Sequence, residues 1–134
     1  MSTFDVLRIS GSGLYANRKW MDAVSDNLAN INTATSTDQS AFQERMVTVE
    51  ATDYGSGRGG VQVTGAQFGS AEGRLVYEPS NALADADGYV RYPDIDMGDQ
   101  MTQLIMAQRS YQANLSSIER ATNAYQAALQ LGKG

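Results

Sequence analysis

The chain has neither cysteine nor histidine. No disulfide framework can form, so cysteine pairing says nothing about redox compartment. The common zinc, haem and iron–sulfur ligand sets are excluded, as are Ser–His and Cys–His nucleophile pairs. Basic residues are scarce: ten Lys and Arg against fifteen Asp and Glu leave a formal net charge of −5. That argues against a phosphate-tracking surface, hence no nucleic acid partner, and against polybasic attraction to anionic lipid. Long apolar runs are also missing. The longest, Leu104-Ile105-Met106-Ala107, falls far short of the about 20 residues that cross a bilayer, so no direct membrane insertion is expected. The first ten residues include Asp5 and Arg8 and hold no continuous apolar stretch of the secretory-signal kind. On composition alone the expectation is a soluble chain outside the general secretion route, with no cofactor and no metal.

What is present is unevenly placed. The 134 residues are 42% hydrophobic, enough for one globular domain with a modest core. The apolar residues concentrate at the two ends, and the middle is rich in Gly, Ser, Ala and Asp. At the end of the chain Met97, Leu104, Tyr111, Ile118 and Tyr125 recur every seventh residue. Met101, Gln108, Leu115, Thr122 and Leu129 form a second such series. A heptad pattern of this length marks helix-on-helix packing. Near the start Leu7, Leu14, Met21 and Leu28 repeat the spacing, joined by Val24 and Ile31.

The spacing predicts a first helix over residues 4–31, opened by a capping box of Ser2 and Asp5. Gly11 and Gly13 each cost about 1 kcal/mol relative to Ala, so the start is expected to be ordered only when packed. An Asn- and Thr-rich stretch ends it. A second helix is predicted from Met97 to Leu131, capped by Asp96, with Asp94 and Asp99 at its positive end and Gly132 as a C′ glycine. Between the helices, alternation at Val47, Val49 and Ala51, again at Val61 and Val63, and the run Leu75-Val76-Tyr77 predict three short antiparallel strands. Residues 55–60 are expected to be a flexible turn, 79–87 a loop and 88–93 an extended lead into the second helix. The predicted fold is mainly α with a small β region. Long N- and C-terminal helices pair as an antiparallel coiled-coil-like hairpin, connected by a short β-hairpin or meander at the far end. The chain divides into 1–32, 33–93 and 94–134.

Several motif-like strings carry nothing. Residues 55–60 lack the Gly-Lys-Ser/Thr of a phosphate loop. Asp85-Ala86-Asp87-Gly88 has too few ligands for a calcium loop. Asn114-Leu115-Ser116 is a glycosylation sequon in the middle of a helix. Glu44 with Glu50, or Asp94 with Asp96, are carboxylates that nothing orients for acid–base work. No enzyme is predicted. On spacing alone the long seam fits an internal core stripe and an intersubunit contact equally well. Polar Gln108 and Thr122 either set its register or reach the surface. Tyr111 and Tyr125 read as core or rim aromatics.

Specific residues narrow this. Ser12-Gly-Leu-Tyr-Ala16 followed by Asp26-Asn-Leu-Ala-Asn-Ile-Asn-Thr33 resembles the N-terminal signature of the rod, hook and hook-associated axial proteins of the bacterial flagellum. Arg109-Ser-Tyr-Gln-Ala-Asn114 resembles their C-terminal signature. The segment Gly88-Tyr-Val-Arg-Tyr-Pro93 and the short middle resemble the proximal-rod members. Two departures stand out: Asp26-Asn27 replaces the usual Asn-Asn, and Ala34-Thr-Ser-Thr-Asp38 replaces a Gly-Tyr-Lys/Ser turn.

The resemblance implies a structural subunit of the proximal rod, exported through the flagellar type III apparatus without a cleaved signal. It would assemble in the periplasm into a tubular shaft that transmits torque. The implied partners are copies of itself, other proximal and distal rod subunits and the rod–MS-ring junction protein. Implied packing residues are Leu7, Leu14, Met21, Leu28, Ile31, Met97, Met101, Leu104, Tyr111, Leu115, Ile118, Tyr125 and Leu129. Implied motif-polar residues are Asn27, Asn30, Asn32, Arg109, Gln112 and Asn114. The three Asn residues also fit plain helix-end roles. The competing readings are another axial subunit, or a coiled-coil adaptor forming a small closed oligomer. An isolated helix pair leaves part of each seam open, so the tails are expected to fray in the free chain and to order on assembly.

Overall fold

The computed structural model describes residues 1–55 and 58–134; the central part of the expected turn at 55–60 lies outside the described residues. Two helices dominate. α1 spans Thr3–Asn30 and α2 spans Met97–Leu131, about 42 and 52 Å long at 1.5 Å per residue. The Ser2 hydroxyl accepts from the Asp5 N–H at 3.1 Å, and the Asp5 carboxylate accepts from the Ser2 N–H at 2.9 Å. This satisfies orphan donors at the start of α1. α1 continues unbroken through Gly11 and Gly13. At α2 the Asp96 carboxylate accepts from the Asp99 N–H at 2.8 Å. α2 ends differently from expectation: Gly132 caps it with right-handed φ of −74°. Its N–H reaches the Ala128 carbonyl at 3.0 Å, closing one more helical turn without a left-handed residue.

The β region also departs from the predicted three-strand arrangement. Among the described residues four strands form two separate antiparallel hairpins: β1 (Arg45–Asp53) with β2 (Gly59–Phe68), and β3 (Arg74–Tyr77) with β4 (Tyr89–Tyr92). The segment expected to be a mere lead into α2 is β4. Asp85 explains its return onto β3. The Asp85 carboxylate accepts from the N–H groups of Asp87 and Tyr89 at 3.0 and 2.9 Å and from the Thr37 hydroxyl at 2.9 Å. The Tyr89 N–H, then the Thr37 hydroxyl, hold this carboxyl below the usual carboxylate range. Gly73, at φ +58°, admits the chain to β3, where a Cβ would collide with the Tyr92 carbonyl.

The first hairpin does not sit at the far end of the helix pair. It runs back along α1. The Arg45 N–H donates to Asn27 Oδ1 at 2.8 Å, and the Val61 N–H donates to Ser12 Oγ at 3.1 Å. Those anchors lie fifteen residues apart on α1, about 22 Å. A register shift at Thr48/Val49 marks a β-bulge, which adds local twist to the ribbon. The second hairpin closes the other end of the molecule, joined to the stretch after α1 by paired hydrogen bonds between Thr35 and Arg91.

Candidate assembly interface

The helices run antiparallel, and small and polar side chains line their contact. Ser10, Asn17, Val24 and Ile31 are buried on α1, and Gln100 and Ala107 on α2. The Asn17 amide donates to Ser110 Oγ at 2.9 Å, and Trp20 Nε1 donates to Gln103 Oε1 at 3.2 Å. Gly13 lets Asn114 cross close by: a Cβ there would lie 2.8 Å from the Asn114 amide nitrogen. Near the start of α1, Phe4 and Tyr125 meet edge to face with centroids 5.6 Å apart.

A polar clamp locks the opposite end. Asn27 and Gln100 are each only 1% exposed. The Asn27 amide donates to Gln100 Oε1 at 2.9 Å and to the Arg45 carbonyl at 3.0 Å. Gln100 Nε2 in turn donates to Glu44 Oε1 at 2.6 Å. One network thus ties together α1, the start of β1 and the first turn of α2. Such a network specifies one arrangement because any other would leave buried polar groups unpaired.

The residues predicted to pack subunits flank this contact. Leu7, Leu14, Met21 and Leu28 are half-buried on α1, as are Leu104, Tyr111 and Ile118 on α2, while Ile31 is buried. At about 100° per residue Leu7, Leu14, Met21 and Leu28 turn away from Ile9 and Ala16, which face the first hairpin, whereas Ile31 lies about 40° from Ile9. Met97, Met101, Leu115, Tyr125 and Leu129 are exposed. The two heptad series therefore share one apolar, two-helix face. Of the motif-polar residues, Asn27 joins the clamp. Asn30 bonds locally, its amide to the Asp26 carbonyl at 2.9 Å. The Asn114 amide donates to the Ser110 carbonyl at 3.1 Å and faces Gly13. Asn32, Arg109 and Gln112 are exposed.

Sequence reasoning picked out Val24, Ile31 and Asn27 but missed Ser10, Asn17, Gln100 and Ala107, and with Gln100 the clamp. The signal was present: Ser10, Asn17, Val24 and Ile31 are themselves spaced by seven, as are Gln100, Ala107, Asn114 and Ala121. Small size and polarity disguised them as a surface.

The division of residue types is the reverse of an ordinary core. Among the described residues the buried apolar set is four Ala, two Val and two Ile. Large side chains stand outside, including Phe4, Tyr54, Phe68, Leu75, Tyr77, Met101, Ile105, Met106 and Leu131. Exposed large apolar side chains that share one face, as Met97, Met101 and Leu115 do on α2, mark a candidate interaction site. Among the described residues no cluster of acidic side chains could hold a metal ion, and no helix is long and apolar enough to cross a membrane.

Comparison with known proteins points the same way. A family described as "Flagella basal body rod protein" matches residues 7–34. One described as "Flagellar basal body rod FlgEFG protein C-terminal" matches residues 86–131. The flagellar basal-body rod protein FlgC of Salmonella typhimurium is 36% identical, covering 99% of this chain and all of the relative. The proteins of the same name from Bacillus subtilis and Aquifex aeolicus are 30% and 34% identical, each over 99% of this chain and at least 99% of their own length.

Proposed function

The chain belongs to the flagellar basal-body rod protein FlgC family, whose members are structural subunits of the basal-body rod, and from that premise we propose how this one builds a shaft. It serves in the proximal rod and transmits torque as part of a periplasmic axial tube. Segments 1–32 and 94–134 form its packing core, and 33–93 braces them. The neighbours are copies of itself, other proximal and distal rod subunits and the rod–MS-ring junction protein. It reaches them through the flagellar type III export apparatus.

One observation supports this above the others: Met97, Met101, Leu115, Tyr125 and Leu129 stand exposed on the helix pair, while Ser10, Asn17, Val24, Ile31, Gln100 and Ala107 are buried in it. Close intramolecular packing of small residues makes a thin two-helix blade. Its outer face, from Leu7 to Leu28 and from Met97 to Leu129, is left for neighbours. Each Leu, Ile or Met fully covered there contributes about 1.5–3 kcal/mol, and several per subunit give a joint that resists twisting. Every residue from 123 to 134 is exposed in the single copy, so this tail frays in solution. A frayed tail also threads through a narrow channel.

Leu115→Asp tests the reading. Leu115 is exposed in the single chain, so the purified variant should melt within about 0.5 kcal/mol of the parent. Cells carrying it as their sole copy should neither complete a rod nor swim. Normal swimming would contradict the proposed face.

A further inference from the structure

A second apolar surface lies on the other side of α1. The first hairpin stands off the helix pair and leaves a groove of about 440 Å³ between them. Ile9, Ala16 and Trp20 form its floor, Val47 and Val49 one wall, and Ser110 with Asn114 the other. None of the residues lining it is charged, although charged residues make up 19% of the chain. Val49 is 50% exposed here, so the groove is open rather than a sealed core defect.

The same chain carries a segment that matches it. α2 runs past the first turn of α1: Tyr125 meets Phe4, and every residue from 123 to 134 is exposed. This end of α2 displays Tyr125, Leu129 and Leu131, and Lys133 is its single charged side chain after Arg120. Neutral apolar groove and neutral apolar helix end sit at different places on one molecule. They cannot meet within one copy. Leu129 lies fifteen residues beyond Asn114, about 22 Å further along a straight α2.

We propose that the end of α2 from one copy, led by Tyr125 and Leu129, seats in the groove of the next copy between its first hairpin and its helix pair. This goes beyond the two-helix face and rests on the reading of the chain as a rod subunit. The contact is heterologous, since the two surfaces differ. Repeated contacts of that type generate a ring or an open helix rather than a closed dimer, the symmetry a tube requires. The first hairpin then serves as the outer jaw of the groove, held to α1 at Asn27 and Ser12. Seating the end of α2 would order the very tail that otherwise frays.

The absence of cysteine allows a clean test. Val49→Cys and Leu129→Cys together place two thiols that cannot link within a chain, because a disulfide needs Cα atoms within about 7 Å. Isolated basal bodies carrying the pair, treated with a mild oxidant, should give a ladder of covalently joined copies on a non-reducing gel. Either single variant should give none. The charge variant Leu129→Asp should weaken self-association roughly ten- to hundredfold, from the loss of one buried Leu. Neither Val49–Leu129 nor the offset pair Val47→Cys with Tyr125→Cys giving linked copies would overturn the proposal. Cells with Leu115→Asp separate the two readings. If these do not swim and the thiol pairs stay unlinked, the rod reading stands and the groove does not. If they swim normally, the two-helix face is refuted, and the thiol pairs alone decide the groove.

Discussion

Asn27 is where a single side-chain truncation should cost the most. Its side chain donates to Gln100 and to the Arg45 carbonyl and accepts from the Arg45 N–H. Asn27→Ala strips these partners at once. Gln100 Oε1 is left in a fully buried site, and the Arg45 N–H and carbonyl lose their inner partner where water has partial access. A buried unsatisfied group costs about 1–3 kcal/mol, so about 2 kcal/mol at Gln100 and about 1 kcal/mol at Arg45 give a loss of about 3 kcal/mol. Domains of this size have on the order of 5–15 kcal/mol in total, and a core built mainly of Ala and Val places this chain low in that range. Trp20 is the only tryptophan, and its indole is hydrogen-bonded across the helix pair. Its fluorescence therefore reports helix docking during urea unfolding. With a slope of about 1–3 kcal/mol/M, the midpoint should fall by about 1–3 M. Asn32→Ala, at an exposed position, should move stability by less than about 0.5 kcal/mol. A loss under about 1 kcal/mol for Asn27→Ala would refute the clamp as the anchor of the fold.

Two neighbouring glycines should behave oppositely. A Cβ at Gly11 meets nothing within 4 Å, so Gly11→Ala should stabilise by about 1 kcal/mol through helix propensity. At Gly13 the Cβ meets the Asn114 amide at 2.8 Å, and the overpacking term of about 1–3 kcal/mol cancels or exceeds that gain; urea midpoints of the two variants check both. The start of α1 should respond to acid. The Ser2 N–H, then the Ser2 hydroxyl, hold the Asp5 carboxyl below its ordinary value. A depressed carboxylate stabilises the fold above the unfolded value of about 3.9, and that stabilisation is lost as pH falls through the lower folded value. Amide protection in the first turn, taken relative to the intrinsic exchange rate at each pH, should therefore fall on acidification below about pH 4, and Asp5→Asn should show the same fraying already at neutral pH.

The helices were legible in the sequence because their signals are local. Ser2 with Asp5 and Asp96 with Asp99 mark both starts, and heptad spacing fixes the length of α2 to the residue. The strand content was legible at Val47–Val49 and Leu75–Tyr77 for the same reason. Pairing was not. β4 looks like a connector until the Asp85 side chain folds the chain back on itself, a contact between loop and strand that no periodicity carries. The placement of the first hairpin depends on Asn27 and Ser12 reaching across eighteen and forty-nine residues. The apolar heptads revealed a surface, and the inner line of Ser10, Asn17, Gln100 and Ala107 stayed hidden because it is built from residues ordinarily found outside. Asn27 lies within a family signature, yet its role inside the chain emerges only once Gln100 and Arg45 are seen beside it.

The central claim is that the large apolar residues of the two-helix face are open in one copy and covered in the shaft. Methionine oxidation reads this directly, because Met97 and Met101 lie on that face, 54% and 47% exposed. Mass spectrometry after brief peroxide treatment should find both readily converted to the sulfoxide in the monomer and protected in intact basal bodies. Equal oxidation in the two states would contradict the account.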